Sequence, residues 1–522
     1  MALRINFNYE SAATHTALKV NERLMNQSLL RLSTGLRILS AQDDAAGLFI
    51  ADQLSVVAAG LYQGNQNIQT GISALRIAEN NVGQIFSKLQ AIYTRAENAA
   101  NDINDPNARQ SLQQEINNFI DAIQKIGTDT EYNGIKLLDG TFSGKYIHYG
   151  ARKGQVVTLS IGDVRAQSLG AYIVSGSDTV SERAYSSATT YSSIITGALQ
   201  FASGESVSIG TESLTAASNM VTDAKYFADW INNNTNLQQA GISAEASNRS
   251  EAADWTDITV QTNDTVVLKF FVGTSTASPA ASYTANAGET ITLSELVSAI
   301  NGQAQANGYN LTATAENGKL VLQTNGETIG VEADIIHSGT TGGGTIVDLS
   351  KILQGTTTSI TSGTASGATA AGVLVGDLSI AGLNSFSYDF SAVSATASPY
   401  GLALKSDTGF VPTGSAAFKN LYQIDVTTNS GAEDALLIVD KALKKVDTVR
   451  SQIGAIMNNL QSIYDAQKVA YDNTKEAENV IRNVDYAEEM SRFTTYQIRM
   501  QSGIAMLAQA NQLPQLVLQL LR

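Results

Sequence analysis

Cysteine is absent from all 522 residues, which excludes disulfides and thiolate metal sites and removes the usual marker of an oxidising compartment. Histidine is scarce. His15, His148 and His337 stand too far apart for a metal motif on one helix, and no HExxH pattern occurs, so each is read as structural or surface. No glycine-rich strand-to-helix loop of phosphate-binding type appears, and no basic patch supports nucleic-acid binding. No apolar run approaches the length of a membrane span. The first residues, MALRINFNYESAATHT, lack an apolar core behind a basic start, so no cleavable secretory signal is expected. The acidic pairs Asp43-Asp44 and Glu488-Glu489 point to different faces of a helix, which suits capping and charge pairing rather than acid/base chemistry. No enzyme, cofactor or metal site is expected.

Present instead are long heptad patterns at both ends. Leu54, Leu61, Ile68, Leu75, Val82 and Leu89 fall seven residues apart, and beside them runs a second row: Val57, Gly64, Gly71, Ala78, Ile85, Ile92 and Ala99. Near the other end Val439, Val446, Ile453 and Leu460 repeat at seven, beside Leu436, Leu443, Met457 and Tyr464, with Arg450 interrupting the second row. Each seam needs a partner, in the other end of the chain or in another copy. Full burial of each Leu, Ile or Val contributes roughly 1.5–3 kcal/mol, so pairing the seams dominates the stability of this region. The small residues of the second row allow close helix approach.

Charge separates the middle from the ends. The net charge is −15, yet residues 171–430 hold 22 acidic and 8 basic side chains, whereas the remainder holds 26 and 25. Near-neutral ends suit packing against copies of themselves; a like-charged middle suits a solvated surface.

Along the chain, Leu18, Met25, Leu29, Leu32 and Leu36 mark a first helix ending near Gly35, after which Ser40, Asp43 or Asp44 is placed to cap the next. Leu112, Ile116, Phe119, Ile123 and Ile126 mark a helix entered after Pro106. Asn133-Gly134 signals a hairpin turn. From about Ala171 to Asn429, Ser, Thr, Gly and Ala dominate and short β-branched runs predict one or two β-rich domains. Within them a weak repeat places a short helix ending in Ile-Asn, at Ile231-Asn232 and Ile300-Asn301, ahead of a strand. Gly355 to Gly372 is of low complexity and reads as a flexible loop or linker. In the last segment Phe493, Tyr496, Met500, Gly503, Leu507 and Ala510 alternate by three and four, Pro514 should turn or kink the helix, and Leu516, Val517, Leu518, Leu520 and Leu521 crowd the tail. Exposed in a monomer, that tail implies a partner.

RLSTGLRILSAQDDAAGLFIADQL (Arg31 to Leu54) and the stretch from Asn483 to Arg522 resemble the N- and C-terminal signatures of bacterial flagellins, and EYNGIKLLDG resembles the hairpin that follows the family's N-terminal helices. The resemblance implies a multidomain α + β fold. Terminal helices pair in an elongated coiled-coil bundle with a β-hairpin, and one or two β-rich outer domains project from it. Residues 1–45 plus 475–522 would line the filament channel, 46–172 plus 425–474 would form the surrounding tube, and 173–424 would be the variable surface. It implies a homopolymer used for swimming, exported unfolded through a type III channel, with an export chaperone, filament cap and hook-junction proteins as partners, no nucleic acid and no membrane insertion. Two alternatives stay open: a hook-filament junction protein, and a filament subunit with an adhesive, glycan-binding outer region.

The residues expected to carry packing and assembly are Leu54, Leu61, Ile68, Leu75, Val82, Leu89, Val439, Val446, Ile453, Leu460, Phe493, Tyr496, Met500, Leu507, Leu516 and Leu520. One departure from the family concerns the innate-receptor epitope. Gln90 and Glu115 match, but Ala91 replaces an arginine and Arg95 an apolar residue, so a multi-donor contact is missing.

Overall fold

The computed structural model describes residues 8–101, 104–175, 183–198, 200–201, 203–216, 220–221, 223–340, 343–363, 367–389 and 413–520, with side chains of 198, 200, 220, 221 and 513–520 outside the description. Among the described residues the α-helices are α1 (Tyr9–Thr34), α2 (Ala45–Ala99), α3 (Pro106–Asp129), α4 (Tyr191–Ala198), α5 (Ala224–Asn233), α6 (Thr235–Gln239), α7 (Leu293–Ala306), α8 (Asn429–Arg482) and α9 (Tyr486–Leu520). The chain forms two compact units, Met1–Asn80 with Glu131–Gly162 and Ser451–Arg522, and Asn81–Thr130 with Asp163–Arg450. Helices α2 and α8 give a stretch to each.

The helix boundaries have local causes. Gly35, at φ 75°, takes the left-handed conformation that closes α1. Asp44 accepts from the Gly47 amide at 2.9 Å and so caps α2, and Asp105 does the same for α3 through the Ala108 amide, with Pro106 as first helical residue. Asn133 and Gly134, at φ 49° and 76°, make the turn between Glu131–Tyr132 and Ile135–Lys136.

In the first unit, α2 and α8 run antiparallel. Tyr62 lies 6.1 Å from Tyr471 between ring centroids, Gln69 donates to the Tyr464 hydroxyl at 2.9 Å, and Arg482 reaches Asp52 at 3.4 Å. The second unit repeats the arrangement with its own stretches, where Arg450 covers the Phe86 ring at 5.5 Å and Asn429 Nδ2 donates to the Ala100 carbonyl at 2.9 Å. Arg450 thus interrupts the apolar row without breaking the packing, because its guanidinium lies on an aromatic face.

Gly64 and Gly71 of the second row, with Gly60 one turn before, have a use that spacing alone did not reveal. The hairpin of Lys145–His148 and Val156–Leu159 lies on α2. A Cβ on Gly64 would fall 1.8 Å from the Tyr149 carbonyl oxygen, one on Gly60 2.7 Å from Ala151 Cβ, and one on Gly71 2.0 Å from Ile147 Cδ1. Asn67 Nδ2 donates to the His148 carbonyl at 2.9 Å. Gly60, Gly64 and Gly71 are therefore a seat for the hairpin before they are an aid to helix pairing.

The second unit contains a six-stranded antiparallel sheet, ordered Thr312–Glu316, Lys319–Thr324, Ser243–Asp254, Asp377–Gly382, Gly170–Ser175, Ala417–Asn420. A five-stranded one is ordered Ala281–Ala285, Asp264–Val272, Ile329–His337, Ala368–Leu374, Ala184–Ser187. One apolar cluster gathers Leu268, Phe270, Leu296, Ile300, Leu320 and Val331, and another Phe227, Ile231, Val207, Leu378 and Ile380. The Ile-Asn repeat has a physical meaning. Asn232 Nδ2 donates to the Ala244 carbonyl and its Oδ1 accepts from the Ala244 amide, at 2.7 and 2.9 Å, and Asn301 makes the same pair with Ala313, both at 2.7 Å. In each copy the carboxamide completes the edge of a strand as another strand would, while the preceding isoleucine is buried.

Four expectations change. Helix α7 continues past Asn301 to Ala306, because Gln303 and Asn307 find partners on Ala280–Ser282. The low-complexity stretch contributes the strands Ser359–Thr361 and Ala368–Leu374, the latter paired on both sides in its sheet; Ala and Gly there permit close packing of layers, as where Gly372 faces Thr356. Pro514 neither ends nor turns α9, which runs through it to Leu520 at the loss of one backbone hydrogen bond. One stretch of α2 is long and apolar enough by composition to cross a membrane, its hydropathy coming from alanines as well as from the seam.

Two buried charges stand out. His337 Nδ1 lies 2.7 Å from Asp264, both side chains fully buried. Burial alone would raise the Asp264 carboxyl, but hydrogen bonds from Ser362, Thr345 and His337 hold it at about 2. Lys441, 1% exposed, donates to the Gly241 carbonyl at 3.1 Å and to Ser243 Oγ at 2.7 Å. Burial, reinforced by the Lys444 charge, brings its ammonium down to about 8.

Two predictions follow from these positions. Gly64→Ala gains about 1 kcal/mol of helix propensity but forces the hairpin off its seat, so thermal unfolding should show a net loss of about 1–2 kcal/mol. Gly83→Ala, with nothing within 4 Å of its added Cβ, should gain about 0.5–1 kcal/mol; equal effects at the two sites would contradict the seat. An unfolded lysine titrates near roughly 10.4, so between about 8 and that value the unfolded chain holds more protons at Lys441. Stability therefore rises with pH across this window. Lys441→Met removes the contribution, and denaturation across the window should move the stability difference in favour of the wild type.

Candidate assembly surface

Helices α1 and α9 lie side by side and antiparallel within the first unit. Asn8 Nδ2 donates to the Ala510 carbonyl at 2.8 Å, Ser11 Oγ to Asn511 at 2.7 Å, and Asn21 Nδ2 to the Tyr496 carbonyl at 2.8 Å. Ser28 Oγ donates to Glu489 at 2.5 Å, both residues buried. Gly503 lets Leu18 approach, since a Cβ there would stand 2.6 Å from Leu18 Cδ2. Polar contacts thus fix the register of a pair that apolar contacts hold.

The segments that join these helices to α2 and α8 are tied to each other. Leu36 and Asn483 form an antiparallel bridge, the Arg37 amide donates to the Arg482 carbonyl at 2.7 Å, and the Val484 amide to the Gly35 carbonyl at 2.9 Å. Arg37 Nη2 reaches the Ile481 carbonyl at 2.7 Å. Asp43 closes the turn before α2: it accepts from the Leu39 and Ser40 amides at 3.2 and 3.1 Å and from Gln27 at 2.8 Å. Burial would raise its carboxyl, but the Ser40 and Leu39 amides, then Gln27 and Arg31, outweigh that and lower it. Glu488 pairs with Arg492 one turn on. Both acidic pairs therefore serve turns, helix contacts and ion pairs.

The expected assembly residues separate into three groups. Leu61, Ile68, Leu75, Val82, Leu89, Val439, Val446, Ile453 and Leu460 are buried in the chain's own fold, and Leu54 is half-buried. Phe493, Tyr496, Met500 and Leu507 are half-buried along the side of α9 that meets α1. Leu516 and Leu520 have side chains outside the described residues. A further set was missed. Met490, Ile498, Ile504 and Met506 on α9, Val20, Leu29 and Leu30 on α1, and Phe49 and Val56 on α2 are exposed; Val56 is 73% exposed and Met506 62%. The signal lay in the angular spread of apolar residues: they surround α9, whereas a three-and-four reading keeps one side. A helix that keeps apolar residues on more than one side, among its polar ones, has more than one side to cover. Among the described residues no group of His, Asp or Glu side chains is arranged to hold a metal ion.

A split helical unit of this kind, whose outer sides carry apolar residues left exposed among the described residues, defines a subunit built to pack against copies of itself. Comparison with known proteins gives the family. Residues 5–143 match the bacterial flagellin N-terminal helical region and residues 436–521 the bacterial flagellin C-terminal helical region. The chain is 55% identical to the flagellin of Aquifex pyrophilus and 48% identical to that of Aquifex aeolicus (strain VF5), with 100% of both chains covered in each case. It is 28% identical to flagellin A of Helicobacter pylori (strain ATCC 700392 / 26695), again over 100% of both. The chain belongs to the bacterial flagellin family. It is a structural, non-enzymatic subunit that polymerises with itself in the extracellular flagellar filament and serves motility.

Proposed function

We propose that the work of assembly is divided between two sets of apolar residues. The seam rows of α2 and α8 hold the two ends of one chain together. The uncovered sides of α1 and α9 hold one subunit to the next. The observation that carries this reading is the exposure of Met490, Ile498, Ile504 and Met506 on a helix whose remaining apolar side already faces α1. Residues 1–45 and 475–522 then form the inner core, 46–172 and 425–474 the tube, and 173–424 the outer surface. The concentration of negative charge in residues 171–430 supports an outward, solvated position for that region.

Export in an unfolded state through the flagellar type III channel fits a cysteine-free chain, which cannot be trapped by disulfides before it leaves. Family resemblance supplies an export chaperone, a filament cap and hook-junction proteins as the partners met on the way. Supercoiling of the filament would come from packing with two discrete arrangements.

At the receptor epitope, Arg95 Nε is 2.9 Å from Glu115 and its guanidinium lies 5.3 Å from the Phe119 ring centroid. Gln90 is exposed and Ala91 half-buried beside them. The ion pair engages the carboxylate that matches the family epitope, and Ala91 offers no guanidinium in compensation. This favours weak recognition by the flagellin-sensing Toll-like receptor.

Deletion of residues 512–522 should abolish filaments in electron micrographs while circular dichroism of the monomer keeps its β-sheet signal; normal filaments would refute the role of the tail. In a receptor reporter assay, purified monomer should be at least tenfold less potent than a flagellin carrying the arginine, and full potency would refute the epitope reading.

A further inference from the structure

The strand Ser243–Asp254 changes partners along its length. Ser243 to Ser247 pair with Asp377–Gly382, whereas from Asn248 onward the partner is Lys319–Thr324. Each half therefore has one edge that no strand pairs among the described residues. In the second half Gln354 takes part of that edge: its Oε1 accepts from the Glu251 amide at 2.9 Å, and its own amide donates to Ser250 Oγ at 3.0 Å. At this change of partner, inside the second compact unit, lies a cavity of about 360 Å³, lined also by the first turn of α8. Every described residue that lines it is polar or charged, where small-molecule sites ordinarily have mostly apolar walls.

The walls carry both signs of charge. Arg183 and Arg249 bring guanidiniums, and Glu251, Asp377 and Glu433 bring carboxylates. Part of this charge is already matched: Glu251 lies 2.9 Å from Lys319 and 3.5 Å from Arg249, and Arg249 reaches Glu316 at 2.8 Å. Two lining side chains are incomplete. Asn248, 1% exposed, donates through Nδ2 to the Glu327 and Leu374 carbonyls at 2.9 and 2.8 Å, but its Oδ1 accepts from no donor among the described residues. Arg183, 7% exposed, donates through Nη1 to the Val375 carbonyl at 3.1 Å, and its Nε meets no acceptor among them. Buried polar atoms left in this state are costly and call for a partner.

We propose that this cavity is a binding site for a neutral polyhydroxyl ligand, a single uncharged sugar unit. The chemistry follows by exclusion. An anion would meet three carboxylates, a bare cation two guanidiniums, and an apolar molecule no apolar wall. A hydroxyl both donates and accepts, so one sugar ring can donate to Asn248 Oδ1 and a carboxylate while accepting from Arg183 Nε. The volume falls within the range of small-molecule sites, and the ion pairs around Glu251 fix the walls before a ligand arrives. The inference rests on the reading that residues 173–424 face outward, because only then does the assembled filament reach a sugar.

The test presents glucose, galactose, mannose and N-acetylglucosamine to full-length monomer and to assembled filament, with saturation-transfer NMR as the readout. A glycan array bearing the same sugars at the ends of neutral oligosaccharides distinguishes a surface glycan from a free sugar, and inorganic phosphate and calcium are the charged comparisons. Expected is binding of at least one of these sugars by monomer and filament alike, at least tenfold tighter than phosphate or calcium. Arg183→Met and Glu433→Gln should each weaken it at least tenfold, and Glu433→Gln, at a half-buried position, should leave circular dichroism and filament formation unchanged. Binding of none of these sugars by the monomer, preference for phosphate or calcium, or full affinity in Glu433→Gln would overturn the site. Binding by the monomer but not by the filament would instead overturn the outward position of the region.

Discussion

The structure depends on the pairing of chain ends that lie hundreds of residues apart. Neither seam can stay in water: the α2 and α8 rows place fully buried Leu, Ile and Val side chains along helices of 55 and 54 residues, and each is worth roughly 1.5–3 kcal/mol only when the other covers it. Within each compact unit the two helices run antiparallel, so N- and C-terminal segments are brought to one place before any sheet is considered. The bridge between Leu36 and Asn483 and the antiparallel α1 and α9 carry the same closure toward the termini.

Around that closure, backbone contacts supply what apolar packing cannot. Packing is non-directional and tolerates a helix sliding by a turn, whereas Asn21 on the Tyr496 carbonyl, Ser28 on Glu489 and Arg37 on the Ile481 carbonyl each fit one register. The glycines under the hairpin act by exclusion, since a side chain at Gly64 would occupy the place of a carbonyl oxygen. In the sheets, Asn232 and Asn301 do for the strands what those polar contacts do for the helices. The long entropy cost of joining distant segments is thus met by area, and the choice among joined arrangements by hydrogen bonds.

Much of this was legible in the chain. Periodicity located the helices, Gly35 and Asp105-Pro106 marked ends, and Asn133-Gly134 marked a turn, because each reflects chemistry within a few residues. The flagellin signatures at the ends agreed with the family later established by full-length relatives. Sheet order was not legible. The strand Ser243–Asp254 pairs with Lys319–Thr324 on one side and Asp377–Gly382 on the other, and no local pattern states such partners. The stretch from Gly355 to Gly372 looked unstructured because Ala, Gly, Ser and Thr carry little apolar signal, yet they suit a strand packed closely on both faces. The Ile-Asn repeat was visible as a pattern, but only coordinates gave the carboxamide its partners. The outer sides of α9 were not legible because its exposed apolar residues, Met490, Ile498, Ile504 and Met506, stand among polar ones and off the three-and-four row.

A cryo-electron microscopy map of the assembled filament tests the central claim most directly. It should show the α2 and α8 seams paired within one subunit, while Met490, Ile498, Ile504 and Met506 are covered by neighbouring copies. A map in which α2 of one subunit pairs with α8 of the next, or in which those four side chains line solvent, would contradict the account.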